Sequence, residues 1–510
     1  MNPAPETARE QTLQSMAAEP LEALIIGGGI VGAGVARDAA MRGLRIGLLE
    51  QHDFAFGASS RTSRLLHGGL RYLAQGRVGL VREASREKAI LRRIAPHLVQ
   101  PMRFVFPAYR KLTLPLWQLA VGVKLYDRLS GGGQFGRSCA WNAQAALERM
   151  PGLRPEGLAG AVCYYDALTN DARLAIDTLC SAAAHGALLC NYARVERAEQ
   201  SGGLWLIDAR DAWQGRSFQV RSRCVVNATG AWGEQFPHSR LKLRPTKGAH
   251  LIVERERMPV QDAAVLTEGR RILFVIPWAR RVILGTTDTD CRGSPDEVHA
   301  DQEDVRYILG AINAFFPKAN LQPQDVRSSW AGLRPLIADR HGRPSDISRT
   351  HKIHASPSGW IDVAGGKLTT YRLMAQQTVD LIVRRLGRRA PPCRTADEPL
   401  IDAEESQGLS AVIPPLATEL AVRHCCEHEW ALHLDDIMVR RAGWRHWLDD
   451  PESTAGQVAG WMAEILNWDA ARKNAEIDRY RQAASRDPSA RPAGPSIWRS
   501  PAGCYTSRHK

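Results

Sequence analysis

The feature that most constrains this chain is the string Gly27-Gly28-Gly29-Ile30-Val31-Gly32. It follows a short apolar run, Leu24-Ile25-Ile26, and opens a stretch of small and apolar residues at helical spacing from Ile30 to Met41. Gly43 ends that helix, and Leu44 to Leu49 read as a second buried strand. Strand, crossover helix and strand make a βαβ unit, which demands a parallel sheet with helices on its faces. The expected fold class is therefore α/β.

The same string fits the spacing G-x-G-x-x-G, in the strand-to-helix context that gives it meaning. Gly27, Gly29 and Gly32 let the backbone approach a pyrophosphate, and the helix N-terminus at Ile30 adds its positive dipole end. Glu50 ends the second strand, 18 residues after Gly32. A carboxylate there accepts hydrogen bonds from ribose hydroxyls and disfavours a 2′-phosphate, which argues against NADP. Two later turns narrow the dinucleotide to FAD. Val225-Val226-Asn227-Ala228-Thr229-Gly230 is a strand running into a small-residue turn. Gly365-Gly366-Lys367-Leu368-Thr369-Thr370 is a glycine turn entering a helix from Tyr371 to Leu386. Its amides suit the pyrimidine end of a flavin, which gains negative charge on reduction.

The 510 residues allow two or three domains. Lys and Arg exceed Asp and Glu by 67 to 54, giving +13 and favouring anionic partners. No nucleic-acid-reading motif is present, so phosphorylated metabolites or acidic lipid surfaces rank first. Ten cysteines are too sparse for a disulfide framework. Cys425 and Cys426 stand between His424 and His428, but adjacent side chains diverge, and no metal is expected. The first twenty residues lack an apolar signal core, which points to the cytoplasm, and no apolar run is long enough to span a bilayer.

Further along, several motifs occur in a characteristic order. They are Ser59-Ser60, His67-Gly68-Gly69-Leu70-Arg71-Tyr72-Leu73, Pro101-Met102-Arg103-Phe104, Asp171-Ala172-Arg173-Leu174 and Val226 to Trp232. Lys247-Gly248-Ala249-His250, Phe274 to Trp278, Leu284 to Asp288, Gly332-Leu333-Arg334-Pro335-Leu336 and Gly365 to Arg372 follow. Over about residues 21–375 the chain thereby resembles the FAD-dependent glycerol-3-phosphate dehydrogenases. The resemblance implies an FAD-binding, Rossmann-like domain of the glutathione-reductase or DAO type. An antiparallel-sheet substrate domain is inserted in it, and a helical cap follows. It implies oxidation of sn-glycerol 3-phosphate to dihydroxyacetone phosphate, with electrons passing to the quinone pool. An oxidase using oxygen, a related flavoenzyme with another substrate and a non-catalytic flavin-binding protein are the competing readings.

The expected divisions are residues 21–103, 161–235 and 335–390 for the FAD-binding domain and 104–160 for an insertion facing membrane or substrate. Residues 236–334 make the substrate domain, 391–416 a linker, 417–483 a shortened cap and 484–510 a disordered tail. The resemblance makes His250 the first choice of base, with His67 second. It places Arg334 at the substrate hydroxyl and Arg71, Tyr72 and Arg349 at its phosphate. Lys367 serves either that phosphate or the flavin. Ser59, Ser60, His67, Gly68, Gly69, Val195, Thr229, Gly230, Gly366, Lys367, Leu368 and Thr369 join Gly27, Gly29, Ile30, Gly32 and Glu50 as expected cofactor contacts. Residues 112–126 carry Leu112, Leu114, Leu116, Trp117, Leu119, Val121, Val123 and Leu125, edged by Lys111, Lys124 and Arg128. Such a segment suits either a buried core helix or the membrane interface, and the resemblance implies the second, with peripheral attachment to the inner face of the cytoplasmic membrane. A homodimer is compatible with the family.

Overall fold

The structure is a computed structural model that describes residues 5–74, 76–130, 135–269, 271–291, 293–338, 350–401 and 408–487, except for the side chains at 71 and 74. Among these residues, two sheets lie side by side. The first has the central order Lys352–Ala355, Trp360–Ala364, Arg216–Asn227, Leu21–Ile26, Ile46–Leu49, Leu188–Cys190. Its inner strands run parallel, with Leu24 opposite both Gly47 and Val225. Both faces are covered, so Ala23, Leu24, Ile25 and Ile26 are apolar and buried without alternation. On one face the helices Ile30–Met41, Asp171–Ala184 and Tyr371–Leu386 pack through Ala33, Ala36, Ile176, Leu179, Ala375 and Val379.

The second sheet is mostly antiparallel. Its strand Leu243–Glu254 pairs with Arg281–Gly285 on one side and Val326–Ile337 on the other. That register sets His250 opposite both Gly285 and Trp330, and Thr246 opposite Arg334. One parallel pairing, Ala263 with Phe104, joins this sheet to the strand Gln100–Tyr109. The strand Leu158–Leu168 then pairs with Gln100–Tyr109 and belongs to the second sheet. This corrects the expected boundary at 161. An apolar strand shows that it is buried, but not in which sheet.

The cap contains helices Glu419–His428, Pro451–Ile465 and Ala470–Ser485, with a π-helical turn at Asp436–Arg441. Its own core gathers Val422, Cys425, Ile437, Trp444, Val458 and Met462. Cys425 and Cys426 are buried in an ordinary helix, and among the described residues no group of side chains could hold a metal ion.

Three features depart from the expected layout. Residues 5–18 form a helix, Pro5–Ala18, whose Arg9 pairs with Asp211 at 2.7 Å. The described parts of the proline-rich segment expected as a linker, 391–401 and 408–416, form a strap bonded to the sheets and helices beside it. Arg37 donates to the carbonyls of Thr395, Glu398 and Pro399, and Trp278 Nε1 donates to that of Val412. Proline-rich composition marks extended chain, and extended chain offers its carbonyls to any buried donor nearby. Finally, Cys139 and Cys163 form one disulfide across paired strands. Of the expected disordered tail, residues 488–510 lie outside the described part.

Buried ion pairs lock the cap onto the first sheet. Arg440 and Arg441 both donate to Asp53, which is fully enclosed. Burial pushes the Asp53 carboxyl up, but the two guanidinium groups outweigh it and hold it below the usual carboxylate range. Arg173 grips Glu429 bidentately, with both contacts at 2.7 Å. Removing one partner of such a pair leaves an uncompensated buried charge. Asp53→Ala is therefore expected to destabilise the protein by about 3–5 kcal/mol, read as a lowered urea midpoint.

Candidate active site

A cavity of about 1820 Å³ runs between the two sheets. At one end is the turn from the strand Leu21–Ile26 into the helix Ile30–Met41. That helix has no side-chain N-cap, and its Ile30 amide donates to Ser59 Oγ at 2.9 Å. A Cβ at Gly32 would stand 1.9 Å from the Gly27 carbonyl oxygen, so only glycine permits this approach of helix to turn. Glu50 closes the end of its strand, accepting from the amides of Gly28 and His52 at 2.7 and 2.8 Å. Burial raises its carboxyl, against the pull of those two amides. Val195, Thr229 and Gly230 continue the same wall. An uncapped helix end, a carboxylate at the neighbouring strand end and one long continuous cavity suit the phosphates and ribose of FAD.

Toward the other end, Gly365 and Gly366 turn with φ of +76° and +78° and present Lys367, Leu368 and Thr369. Thr369 Oγ1 accepts from the His67 amide at 3.2 Å and so ties the second glycine motif to this turn. The Lys367 ammonium lies 3.9 Å from the centre of the Tyr72 ring.

The far wall belongs to the second sheet. His250 is 2% exposed, stacks on Trp330 and meets Ser63 Oγ through Nε2 at 2.8 Å. Its Nδ1 is buried without a hydrogen-bond partner among the described residues. Burial, then Arg334, then Arg64 lower its pKa to about 3, so the ring is neutral at physiological pH. Arg334 crosses the strand above Gly248 and donates to Thr286 Oγ1 at 3.0 Å and to Asp288 at 3.2 Å. Arg64 is wedged between Trp278 and Trp330, at 4.4 and 5.1 Å from their ring centres.

The structure thus brings Gly27, Gly29, Ile30, Glu50, Ser59, His67, Gly69, Tyr72, Val195, Thr229, Gly230, His250, Arg334, Gly366, Lys367, Leu368 and Thr369 to one cavity. Gly32, Ser60 and Gly68 do not line it. Gly32 packs against the turn, and the Gly68 amide donates to Tyr126 Oη at 2.9 Å. Arg349 lies outside the described residues, as does the side chain of Arg71. Sequence reasoning passed over Arg61, Ser63 and Thr286, which also line the cavity. The run Ser59-Ser60-Arg61-Thr62-Ser63 before the second glycine motif was the available signal. Arg61 faces the cavity beside Phe56, and burial lowers its pKa to about 10.

A lowered histidine pKa has a stability consequence. Between the ordinary value of 6.5 and about 3, the unfolded chain binds a proton at His250 that the folded chain refuses. Folding free energy from this residue therefore falls as pH drops through that window. Urea midpoints measured at pH 7 and pH 5 are expected to differ less in His250→Asn than in the parent protein. His446, also lowered by burial, adds to the slope in the same direction.

Residues 22–372 match the family described as FAD dependent oxidoreductase, and residues 374–473 match the C-terminal domain of alpha-glycerophosphate oxidase. Glycerol-3-phosphate dehydrogenase 2 of Mycobacterium tuberculosis is 34% identical over 91% of this chain and 88% of its own. Aerobic glycerol-3-phosphate dehydrogenase of Staphylococcus aureus is 36% identical over 76% of this chain and 72% of its own. The crystal structure of glycerol-3-phosphate dehydrogenase from Bacillus halodurans complexed with FAD superposes with a TM-score of 0.75 at 29% identity, covering 96% of this chain and 99% of that one. With these matches and the cavity described above, the chain belongs to the FAD-dependent glycerol-3-phosphate dehydrogenase family and takes FAD as its cofactor.

Proposed function

We propose that this chain oxidises sn-glycerol 3-phosphate at C2, with His250 accepting the hydroxyl proton and Arg334 holding the hydroxyl oxygen. The observation that carries this reading is the placement of His250 and Arg334 on one wall of the cavity that also holds the Gly27–Gly32 and Gly365–Thr369 turns. FAD, when bound, supplies the acceptor for the hydride leaving C2. The turn at Gly29 and Ile30, with Glu50, holds the adenosine and pyrophosphate half. Gly366, Leu368 and Thr369 support the pyrimidine end.

A neutral imidazole is in the protonation state that a base needs. Arg334 keeps a fixed charge beside the hydroxyl, where negative charge develops as the proton leaves. Tyr72 and Lys367 touch one another at the cavity wall, which favours the phosphate for Lys367. Arg71 and Arg349 complete the phosphate site in this reading, since guanidinium suits bidentate contact with phosphate. His67, tied by its backbone to Thr369, serves the flavin side.

Electrons pass on to quinone at a membrane surface in this proposal. No helix among the described residues is long and apolar enough to cross a membrane. The helix Leu116–Leu129 and the turn before it leave Leu112, Leu114, Trp117, Val121 and Leu125 exposed, Trp117 at 68%. Leu112, Leu114 and Leu119 also line the cavity, so an apolar surface adjoins its mouth. Charged Lys111, Lys124 and Arg128 stand exposed around that surface, as an interfacial segment requires. The match of residues 374–473 to an oxidase C-terminal domain favours oxygen as the second reading. Steady-state assay with a quinone analogue or with oxygen separates the two.

Anaerobic mixing with glycerol 3-phosphate is expected to bleach the flavin, and a flavin that stays oxidised refutes the substrate. His250→Ala should lower kcat by about 10²–10⁴-fold with a smaller change in KM, whereas Arg71→Ala should chiefly raise KM. Equal effects on both parameters in both variants would refute that division. Trp117→Glu with Val121→Glu is expected to abolish cosedimentation with vesicles while leaving turnover with a soluble acceptor unchanged. Unchanged cosedimentation removes the helix from the membrane contact.

A further inference from the structure

The geometry around His250 raises a question of access. The ring is 2% exposed, and its Nδ1 is buried with no hydrogen-bond partner among the described residues. The remaining nitrogen, Nε2, is engaged by Ser63 Oγ at 2.8 Å. Ser63 itself is half-buried and lines the cavity. Its hydroxyl is therefore a group on the cavity wall in direct contact with the nitrogen that can take a proton.

The segment carrying Ser63 is held on several sides. The Thr62 amide and hydroxyl both donate to Asp171 Oδ2, at 2.8 and 2.7 Å. Trp330 Nε1 donates to the Thr62 carbonyl at 3.1 Å, and the Thr169 amide donates to the Arg64 carbonyl at 2.8 Å. Trp330 also stacks on the His250 ring, with centroids 5.5 Å apart. One tryptophan thus holds the His250 ring and the backbone of Thr62 next to Ser63. A serine placed only for packing has no need of this restraint, whereas a proton path needs its hydrogen bond held in line.

We propose that Ser63 is a catalytic residue that relays the proton of the substrate C2 hydroxyl to His250 Nε2. This rests on the dehydrogenase reading above. The substrate O–H bond breaks as Ser63 Oγ takes that proton, and the Ser63 O–H bond breaks as Nε2 takes the second. The C2 hydrogen leaves with its electron pair for the flavin, and C2–O becomes a carbonyl. Serine is a hydroxyl before and after, and two protons move in one step. Arg334 and Arg64 disfavour a lasting imidazolium, so the proton returns along the same hydroxyl once product has left.

The test uses the FAD-loaded enzyme, mixed anaerobically with glycerol 3-phosphate in mixtures of H₂O and D₂O, with flavin reduction as the signal. Ser63→Ala is expected to bind FAD as the parent does and to reduce it about 10²-fold more slowly. Ser63→Thr, which keeps the hydroxyl, should recover most of the rate. The parent should give a curved proton inventory, from two protons in flight, and Ser63→Ala a linear one. Parental rates in Ser63→Ala, a linear inventory in the parent, or a Ser63→Thr variant as slow as Ser63→Ala would each overturn the relay. Those outcomes leave the substrate assignment standing if the parent flavin still bleaches. A parent flavin that stays oxidised overturns the substrate assignment and the relay together.

Discussion

The close approach between the helix Ile30–Met41 and the turn before it underlies the rest of this molecule. A side chain at position 32 would collide with the Gly27 carbonyl at 1.9 Å, so the helix can start there only on glycine. Its first residues, Gly29, Ile30 and Val31, line the cavity. The small residues that follow let the helices Asp171–Ala184 and Tyr371–Leu386 pack tightly on it. The second of these helices is entered from the Gly365–Thr370 turn. The two ends of the cofactor site are therefore linked through one packed layer.

Opposite this layer, the second sheet carries His250 and Arg334 on the cavity wall. Antiparallel pairing of Leu243–Glu254 with Val326–Ile337 puts His250 against Trp330 and Thr246 against Arg334, on strands that cannot slide without turning their buried residues outward. Burial, with Arg334 and Arg64 nearby, makes the neutral form of His250 the stable one. The cap supports that wall from behind. His446 Nδ1 lies 3.0 Å from Ser328 Oγ, and Asp487 accepts from the Ser329 amide and hydroxyl, both at 2.7 Å. Asp53, Arg440 and Arg441 attach the cap to the cofactor side, so it braces both walls at once.

Much of this was legible in the sequence, where local periodicity and motif spacing carry the signal. The helices Tyr371–Leu386 and Ile30–Met41 were read at their observed limits, because glycine lies just past their ends, whereas the strand before Gly27 was read from Leu24 and starts at Leu21. The boundary at 161 misplaced the strand Leu158–Leu168, because its partner Gln100–Tyr109 is distant in sequence. The strap after 390 looked like a linker, because composition does not report that Arg37 and Trp278 reach its carbonyls. Ser63 went unread for the same reason. Its partner His250 lies 187 residues away.

By itself the sequence determined the cofactor class and the family, since both depend on residues that are close in the chain: a glycine turn, a carboxylate 18 residues on, and short motifs in fixed order. Tertiary structure decided which candidates share one cavity, which nitrogen of His250 faces a donor, and how the cap braces the site. Those depend on contacts between distant segments, whose distances and burial no local pattern encodes. Burial in turn sets the charge state of His250, because the cost of charging an imidazole depends on what surrounds it in space.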